Sequence, residues 1–408
     1  MPNAQSLQYV KICSLYGAGF YYIPGTDTCI KLGGWVRAEM NFNAGGSFNP
    51  FHTAVGTGAL DGRGLTFETT RVRGIITVDT RSQTEYGTLR SYIAGGWQET
   101  NNDWVANATY APRAFVQWAG FTAGRAQSFF DFYSTPAFSN TTNVLGSDTG
   151  GQGDTVFAYT AQFGNGLSAT LSAEDQTQRT TGYAGTAVAG RQWPDIVANL
   201  RLDQAWGSAQ IMGAAHQART NGAFANDEQV AWAAGAGIQV NLPMLGAGDN
   251  IAAQFTYAKG AMNYVGSGLT TFAIQSNDTM GYGPVFDGVV TGVDTIDLTT
   301  GWSVVGGYQH SWNPNWKTSL YGTYGHVSYS DAASVVIGGA FDPDWSFWQV
   351  GSRTIWTPVP NLDLSVDVMY NQIDTAFSGL VAPVGSGLTA DDKGWWQGIF
   401  RVQRNFYP

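Results

Sequence analysis

Leu362-Asp363-Leu364-Ser365-Val366-Asp367-Val368-Met369-Tyr370-Asn371 decides the fold. Leu362, Leu364, Val366, Val368 and Tyr370 form one set; Asp363, Ser365, Asp367, Met369 and Asn371 form the other. A period of two puts the sets on opposite faces of an extended strand. The pattern recurs outward along the chain. Val230, Trp232, Ala234, Ala236, Ile238, Val240 and Leu242 alternate with Ala, Gly, Gln239 and Asn241. Leu167, Ala169 and Leu171 oppose Ser168, Thr170, Ser172 and Glu174, and Ile251, Ala253, Phe255 and Tyr257 oppose Gln254 and Thr256. Strands of a soluble sandwich alternate too. Two details favour a membrane. The polar faces are rich in small uncharged residues, and tryptophans gather near strand ends: Trp302 and Trp312, Trp348 and Trp356, Trp395 and Trp396.

Composition agrees. Of 408 residues only 12% are charged, about half the usual share, while 14% are aromatic and 53 are glycine. No apolar run reaches the 18 or so residues of a membrane helix. Hydrophobicity is instead spread over alternate positions, as in a transmembrane β-barrel. A net charge of -10 argues against a nucleic-acid partner.

The alternation predicts about sixteen strands: 31–43, 64–82, 85–97, 109–119, 120–127, 153–164, 166–176, 194–204, 207–218, 229–241, 250–259, 300–311, 315–328, 345–357, 360–373 and 393–406. Long polar connections follow the odd-numbered strands. Tight turns such as Gly164-Asn165-Gly166 and Asn313-Pro314-Asn315 follow the even ones. The expectation is an all-β fold: a 16-stranded antiparallel transmembrane β-barrel with short turns toward the periplasm. A ring of this size encloses water. The whole chain, 1–408, reads as one domain: an N-terminal segment 1–30, a barrel 31–406 and a long connection 128–153. The start, Met1-Pro2-Asn3-Ala4, has neither the basic region nor the apolar core of a secretory leader, so the chain is read as a mature form.

Parity places the charged side chains. Arg71 and Arg73 lie opposite Val72, Ile76 and Val78; Arg37 and Glu39 lie opposite Val36, Ala38 and Met40. Arg90 opposes Leu89 and Ile93, and Arg113 opposes Val116 and Trp118. A charge facing lipid at the midplane costs about 2–4 kcal/mol, so these arginines belong on one sector of the inner wall. The connection 128–153 carries Asp131 and Asp148, with Asp154 just beyond. Folded inward, it would set these acids across a gap from the arginines, and the transverse field would favour dipolar solutes. The residues alone leave this level with lumen salt bridges beneath a loop that never enters. The basic wall and the acidic total charge pull ion preference in opposite directions, with a weak lean to cations.

Cys13 and Cys29 are too few for a disulfide scaffold or a zinc site. In an oxidising compartment they would staple a short loop; the alternative is two unlinked thiols. His52, His216, His310 and His326 are scattered without metal spacing, His310 reading as interfacial. Gly150-Gly151-Gln152-Gly153-Asp154 is a lone calcium-type repeat where stacked repeats are needed. No Gly-x-Ser-x-Gly element supports a hydrolase. No enzyme activity, metal or cofactor is expected.

Val10-Lys11-Ile12-Cys13-Ser14-Leu15-Tyr16-Gly17-Ala18-Gly19-Phe20-Tyr21-Tyr22-Ile23-Pro24-Gly25-Thr26-Asp27-Thr28-Cys29-Ile30-Lys31-Leu32-Gly33-Gly34-Trp35-Val36-Arg37 closely resembles the start of alphaproteobacterial general-diffusion porins. Gly398-Ile399-Phe400-Arg401-Val402-Gln403-Arg404-Asn405-Phe406 resembles their closing strand, and Arg71-Val72-Arg73-Gly74 and Phe129-Phe130-Asp131 also resemble the family. One departure is that Tyr407 and Pro408 follow Phe406, where the family closes on Phe. The resemblance implies a homotrimer in the bacterial outer membrane, in contact with lipid and lipopolysaccharide. It implies an inward-folded third extracellular loop and passive diffusion of small hydrophilic solutes and ions. It also supports the Cys13–Cys29 disulfide. Arg37, Glu39, Arg71, Arg73, Arg90, Arg113, Asp131, Asp148 and Asp154 are then the expected constriction residues. The alternatives are a substrate-specific channel for a sugar or carboxylate, and an adhesin-like β-protein with no open lumen.

Overall fold

The computed structural model describes residues 11–43, 53–54, 66–101, 108–141, 146, 153–223, 225–276, 278–339, 341–379 and 388–406. Sixteen strands make the wall. They are β1 (Cys29–Phe42), β2 (Glu68–Thr84), β3 (Gly87–Thr100), β4 (Ala108–Trp118), β5 (Phe121–Ala126), β6 (Asp154–Gly164), β7 (Leu167–Glu174) and β8 (Asp195–Gln204). There follow β9 (Gly207–Asn221), β10 (Glu228–Asn241), β11 (Asn250–Lys259), β12 (Thr300–Asn313), β13 (Trp316–Ser328), β14 (Trp345–Val359), β15 (Leu362–Asp374) and β16 (Lys393–Asn405). Each pairs antiparallel with the next, and β16 returns to β1 with Trp35 opposite Asn405 and Glu39 opposite Arg401. The ring is closed, so no wall strand is left with a bare edge. All sixteen expected strands are present; the largest displacement is the start of β2, at Glu68 rather than 64.

Period two sorts oil from water as expected. On β15, Val366 is 51% exposed and Asp367 1%. Outward positions elsewhere are apolar and exposed, among them Val72, Ile76, Ile93, Leu171, Ile238, Phe255, Leu320 and Phe400. Inward positions include Glu39, Arg71, Arg73, Ser172, Gln254, Gln349 and Arg401. Among the described residues no helix is long and apolar enough to cross a membrane. At the short-turn rim, Asn165 (φ 49°) and Asn361 (φ 66°) take the left-handed conformation that asparagine tolerates in tight turns.

The long-loop rim is more filled than alternation suggests. The connection 260–299 builds two hairpins, Phe272–Ser276 with Thr279–Gly283 and Gly288–Gly292 with Thr295–Leu298. Their apolar faces pack onto inward-facing Trp345, Phe347, Ile373 and Trp395. Trp395 therefore leaves the expected aromatic belt: it is 4% exposed, against 60% for Trp396. Adjacent strand residues point to opposite faces, so the pair could not both meet lipid.

Near the short-turn rim, Cys13 and Cys29 form a disulfide with Cα atoms 6.0 Å apart. Tyr21 and Tyr22 pair with Ile30 and Cys29. Cys29 has inward parity, and the knuckle it ties brings Phe20 and Tyr16 against the inward-facing Arg81. This N-terminal segment thus sits on the lumen face of β1–β3.

Candidate pore constriction

The third outer connection enters the barrel through backbone groups that the wall satisfies. Beyond β5 the chain needs partners for its amides and carbonyls away from water. Glu174 Oε1 accepts from the Phe129 amide at 2.9 Å, and Asn199 Nδ2 donates to Phe129 O at 2.7 Å. Gln254 Oε1 accepts from the amides of Phe132 (3.2 Å) and Tyr133 (2.8 Å). Tyr133 stacks on Phe138 at 5.2 Å across the short helix Thr135–Phe138. The pair lies over Gly307, where a Cβ would sit 2.6 Å from both Phe138 Cγ and the Tyr133 hydroxyl. Gly237 leaves the same kind of space for Phe132. Glycine at these inward positions admits the loop.

The far wall then grips the tip. Arg353 on β14 donates to Pro136 O (2.9 Å), Ser139 O (3.0 Å) and Ala137 O. Asp367 on β15 accepts from Ser139 Oγ (2.9 Å), the Asn140 amide and the Tyr321 hydroxyl. Asn140 Nδ2 reaches Ser365 Oγ at 2.9 Å. The described part of the loop therefore runs from β5 across the lumen to β13–β16.

Beside the anchored tip lies the arginine group. Glu39 is buried and central. Arg71 Nε and Arg401 Nε donate to it at 2.9 and 2.8 Å, while Arg37 and Arg73 stand 3.9 Å away. Register brings them together: Glu39 faces Arg71 on one side and Arg401 on the other, and Arg37 faces Arg73. Arg37 also donates to Gln403 at 2.7 Å and lies 4.3 Å from the Trp35 ring. Arg401 donates to Asn140 O, joining the group to the loop.

The other expected site residues lie apart. Arg90 joins Arg81 on Asp79, nearer the short-turn rim. Arg113 donates to Pro112 O at 2.7 Å, beside Gly153 at the loop root. Asp154 is buried at the same root and accepts from the Thr155 amide. Asp131 does not face the arginines. It is buried against Arg179 from the fourth outer connection, 3.2 Å away. Burial works to lower the Arg179 guanidinium, but Asp131, Tyr264, Glu174 and Asp154 hold it above its ordinary value. Asp148 lies outside the described residues. What meets the basic group is thus a single loop carbonyl, Asn140 O, held by Arg401, while the carbonyls of Pro136, Ala137 and Ser139 are taken up by Arg353 beside Asp367. Arg353, Asp367 and Arg401 share the inward parity that marked the other arginines, and that signal would have found them.

Similarity to known proteins places this architecture. The chain matches the porin subfamily over residues 2–399. It belongs to that family. This porin is 31% identical to porin Omp2b of Brucella canis over 219 residues, covering 51% of the chain and 56% of the relative. It thus spans little more than half the length of that curated relative. Its fold is similar to that of the outer membrane channel DcaP of Acinetobacter baumannii, with a TM-score of 0.69 at 16% identity, covering 94% of this chain and 99% of that one. The trimer form of the Vibrio cholerae outer membrane protein OmpT aligns over 93% of this porin and 100% of its own chain, with a TM-score of 0.53 at 7% identity. Family and barrel together place this porin in the bacterial outer membrane, where strands rather than helices cross.

Proposed function

We propose that this porin passes small hydrophilic solutes and ions by passive diffusion, and that they are sorted where the third loop meets the arginine group. The observation that carries this is a closed sixteen-strand ring crossed by a loop whose tip is hydrogen-bonded to the wall beside Arg37, Arg71, Arg73 and Arg401. The wall's guanidinium groups, tied to the loop tip through Arg401 and Arg353, give the opening beside the loop a polar, cationic border. It rewards dipolar or charged solutes and penalises apolar ones. Glu39 holds the guanidinium groups in place. Arg113 and Asp154 shape the loop root, and Arg90 extends the basic wall inward. The working assembly is a homotrimer, a reading supported by the family and by the trimeric relative. Transport has no catalytic step.

The test is conductance in a planar bilayer. Open steps of stable size are expected, with a reversal potential under a salt gradient that moves toward cation preference in Arg401→Gln. Protein that inserts without conducting refutes the channel, and an unchanged reversal potential in Arg401→Gln refutes the site.

A further inference from the structure

A second station lies deeper in the lumen, against the disulfide-tied knuckle. There a cleft of about 440 Å³ is lined by Tyr16, Phe20, Lys31, Asp79, Arg81 and Tyr92. The Lys31–Asp79 row is six residues along β1 and β2 from the Arg37–Arg73 row, roughly 20 Å of strand. The two stations are therefore separate.

Its chemistry has two halves. On the charged side, Arg81 and Arg90 both donate to the single carboxylate of Asp79, at 2.8–3.1 Å. Lys31 adds another cation. Its ammonium has a backbone carbonyl, Ala18 O at 3.3 Å, and among the described residues no carboxylate lies within ion-pair distance. On the apolar side, Phe20 stands 4.9 Å from the Arg81 guanidinium and 5.9 Å from the Lys31 ammonium; Tyr16 stands 5.7 Å from Arg81. Tyr92 closes the wall from β3. Cations set beside ring faces suit a planar ligand with one anionic end: the acid meets Lys31 and Arg81, and the ring lies among the aromatics. The volume is that of a small-molecule pocket.

We infer that this cleft is a binding subsite for aromatic carboxylates passing through the pore, built by the disulfide-tied N-terminal segment and the β1–β3 wall. It rests on the channel reading above for its transport role, though not for its binding.

The experiment is single-channel recording with benzoate added on the short-turn side, beside acetate, which lacks the ring, and benzyl alcohol, which lacks the charge. Benzoate interrupts the current saturably and the other two do not. Lys31→Gln raises the half-blocking concentration about tenfold, the scale of one lost charge-assisted contact, and Lys31→Arg restores it. Equal block of wild type and Lys31→Gln overturns the site, and so does equal block by acetate. Saturation-transfer NMR of benzoate with detergent-solubilised protein is a second readout. Benzoate saturated in wild type and not in Lys31→Gln supports the cleft even where conductance is lost; none in wild type overturns it.

Discussion

Replacing Arg353 with methionine isolates the anchor of the third loop. Methionine keeps much of the side-chain volume and the backbone pairing of β14 with Ser319 and Asp367, so the wall is untouched. It removes all three bonds to Pro136 O, Ser139 O and Ala137 O. A hydrogen bond to a charged group contributes about 1.5–3 kcal/mol net. Three such bonds at full value overstate the loss, because Asp367 and Gln254 still hold the loop; about 3–5 kcal/mol, two to three bonds at the low end of that range, is the expected cost. At about 1.4 kcal/mol per factor of ten, the tip would open about 10²- to several-thousand-fold more often. Hydrogen exchange in detergent measures this: amides over 129–141 exchange faster by that factor, while those of β14 and β15 keep their protection. Single channels become noisier at unchanged mean size of the wall. Unchanged exchange over 129–141 would refute the claim that the arginine is the clasp.

Neighbouring tryptophans separate core from belt. Trp395→Ala empties the packed core under the 260–299 hairpins and destabilises them by about 3–5 kcal/mol, seen as faster proteolysis there, whereas Trp396→Ala leaves cleavage unchanged. Lowering pH tests the turn between β10 and β11. Desolvation works to raise the Asp249 carboxyl, but His310, the Ser311 amide and Tyr308 hold it below its ordinary value. Its contribution is therefore complete above the unfolded value near 4 and lost as pH falls through the depressed folded value. Protection of the Ser311 amide, relative to its intrinsic exchange rate at each pH, should fall steeply there, and Asp249→Asn should flatten that pH profile. Cys13→Ser with Cys29→Ser removes a cross-link of separation 16, worth about 3 kcal/mol for a loop of that size. The N-terminal segment should become protease-sensitive while the barrel keeps its heat-modifiable migration in gels.

The wall was legible because lipid imposes a rule on every second residue. Leu362–Asn371 and Val230–Leu242 report that rule directly, and errors arise only at strand ends. The interior follows no such period. Parity puts Arg37, Glu39, Arg71 and Arg73 on one inward sector, and the register of β1 with β2 carries them at matching heights. It could not tell where a loop travels. Asp131 and the arginines lie in the sequence order that suggests facing charges, yet the guanidinium that claims Asp131 comes from Arg179, in another connection with no periodic signal of its own. Gly307 and Gly237 read as small lumen residues until the loop's aromatic rings occupy the space above them. Arg353 and Arg401 carried the right parity, and only their meeting with residues 136–140 gives them a task.

Glu39 and Arg401 stand 362 positions apart and touch only because the last strand docks on the first. A chain still emerging from its assembly site, or one that has lost its final hairpin, holds a carboxylate missing one of its partners and a loop tip missing one of its holds. The contacts between seam and loop tip are completed by the same event that seals the cylinder. An unfinished molecule therefore has a loosened loop tip as well as an open sheet, and any quality control that senses the seam also reads how that loop is held.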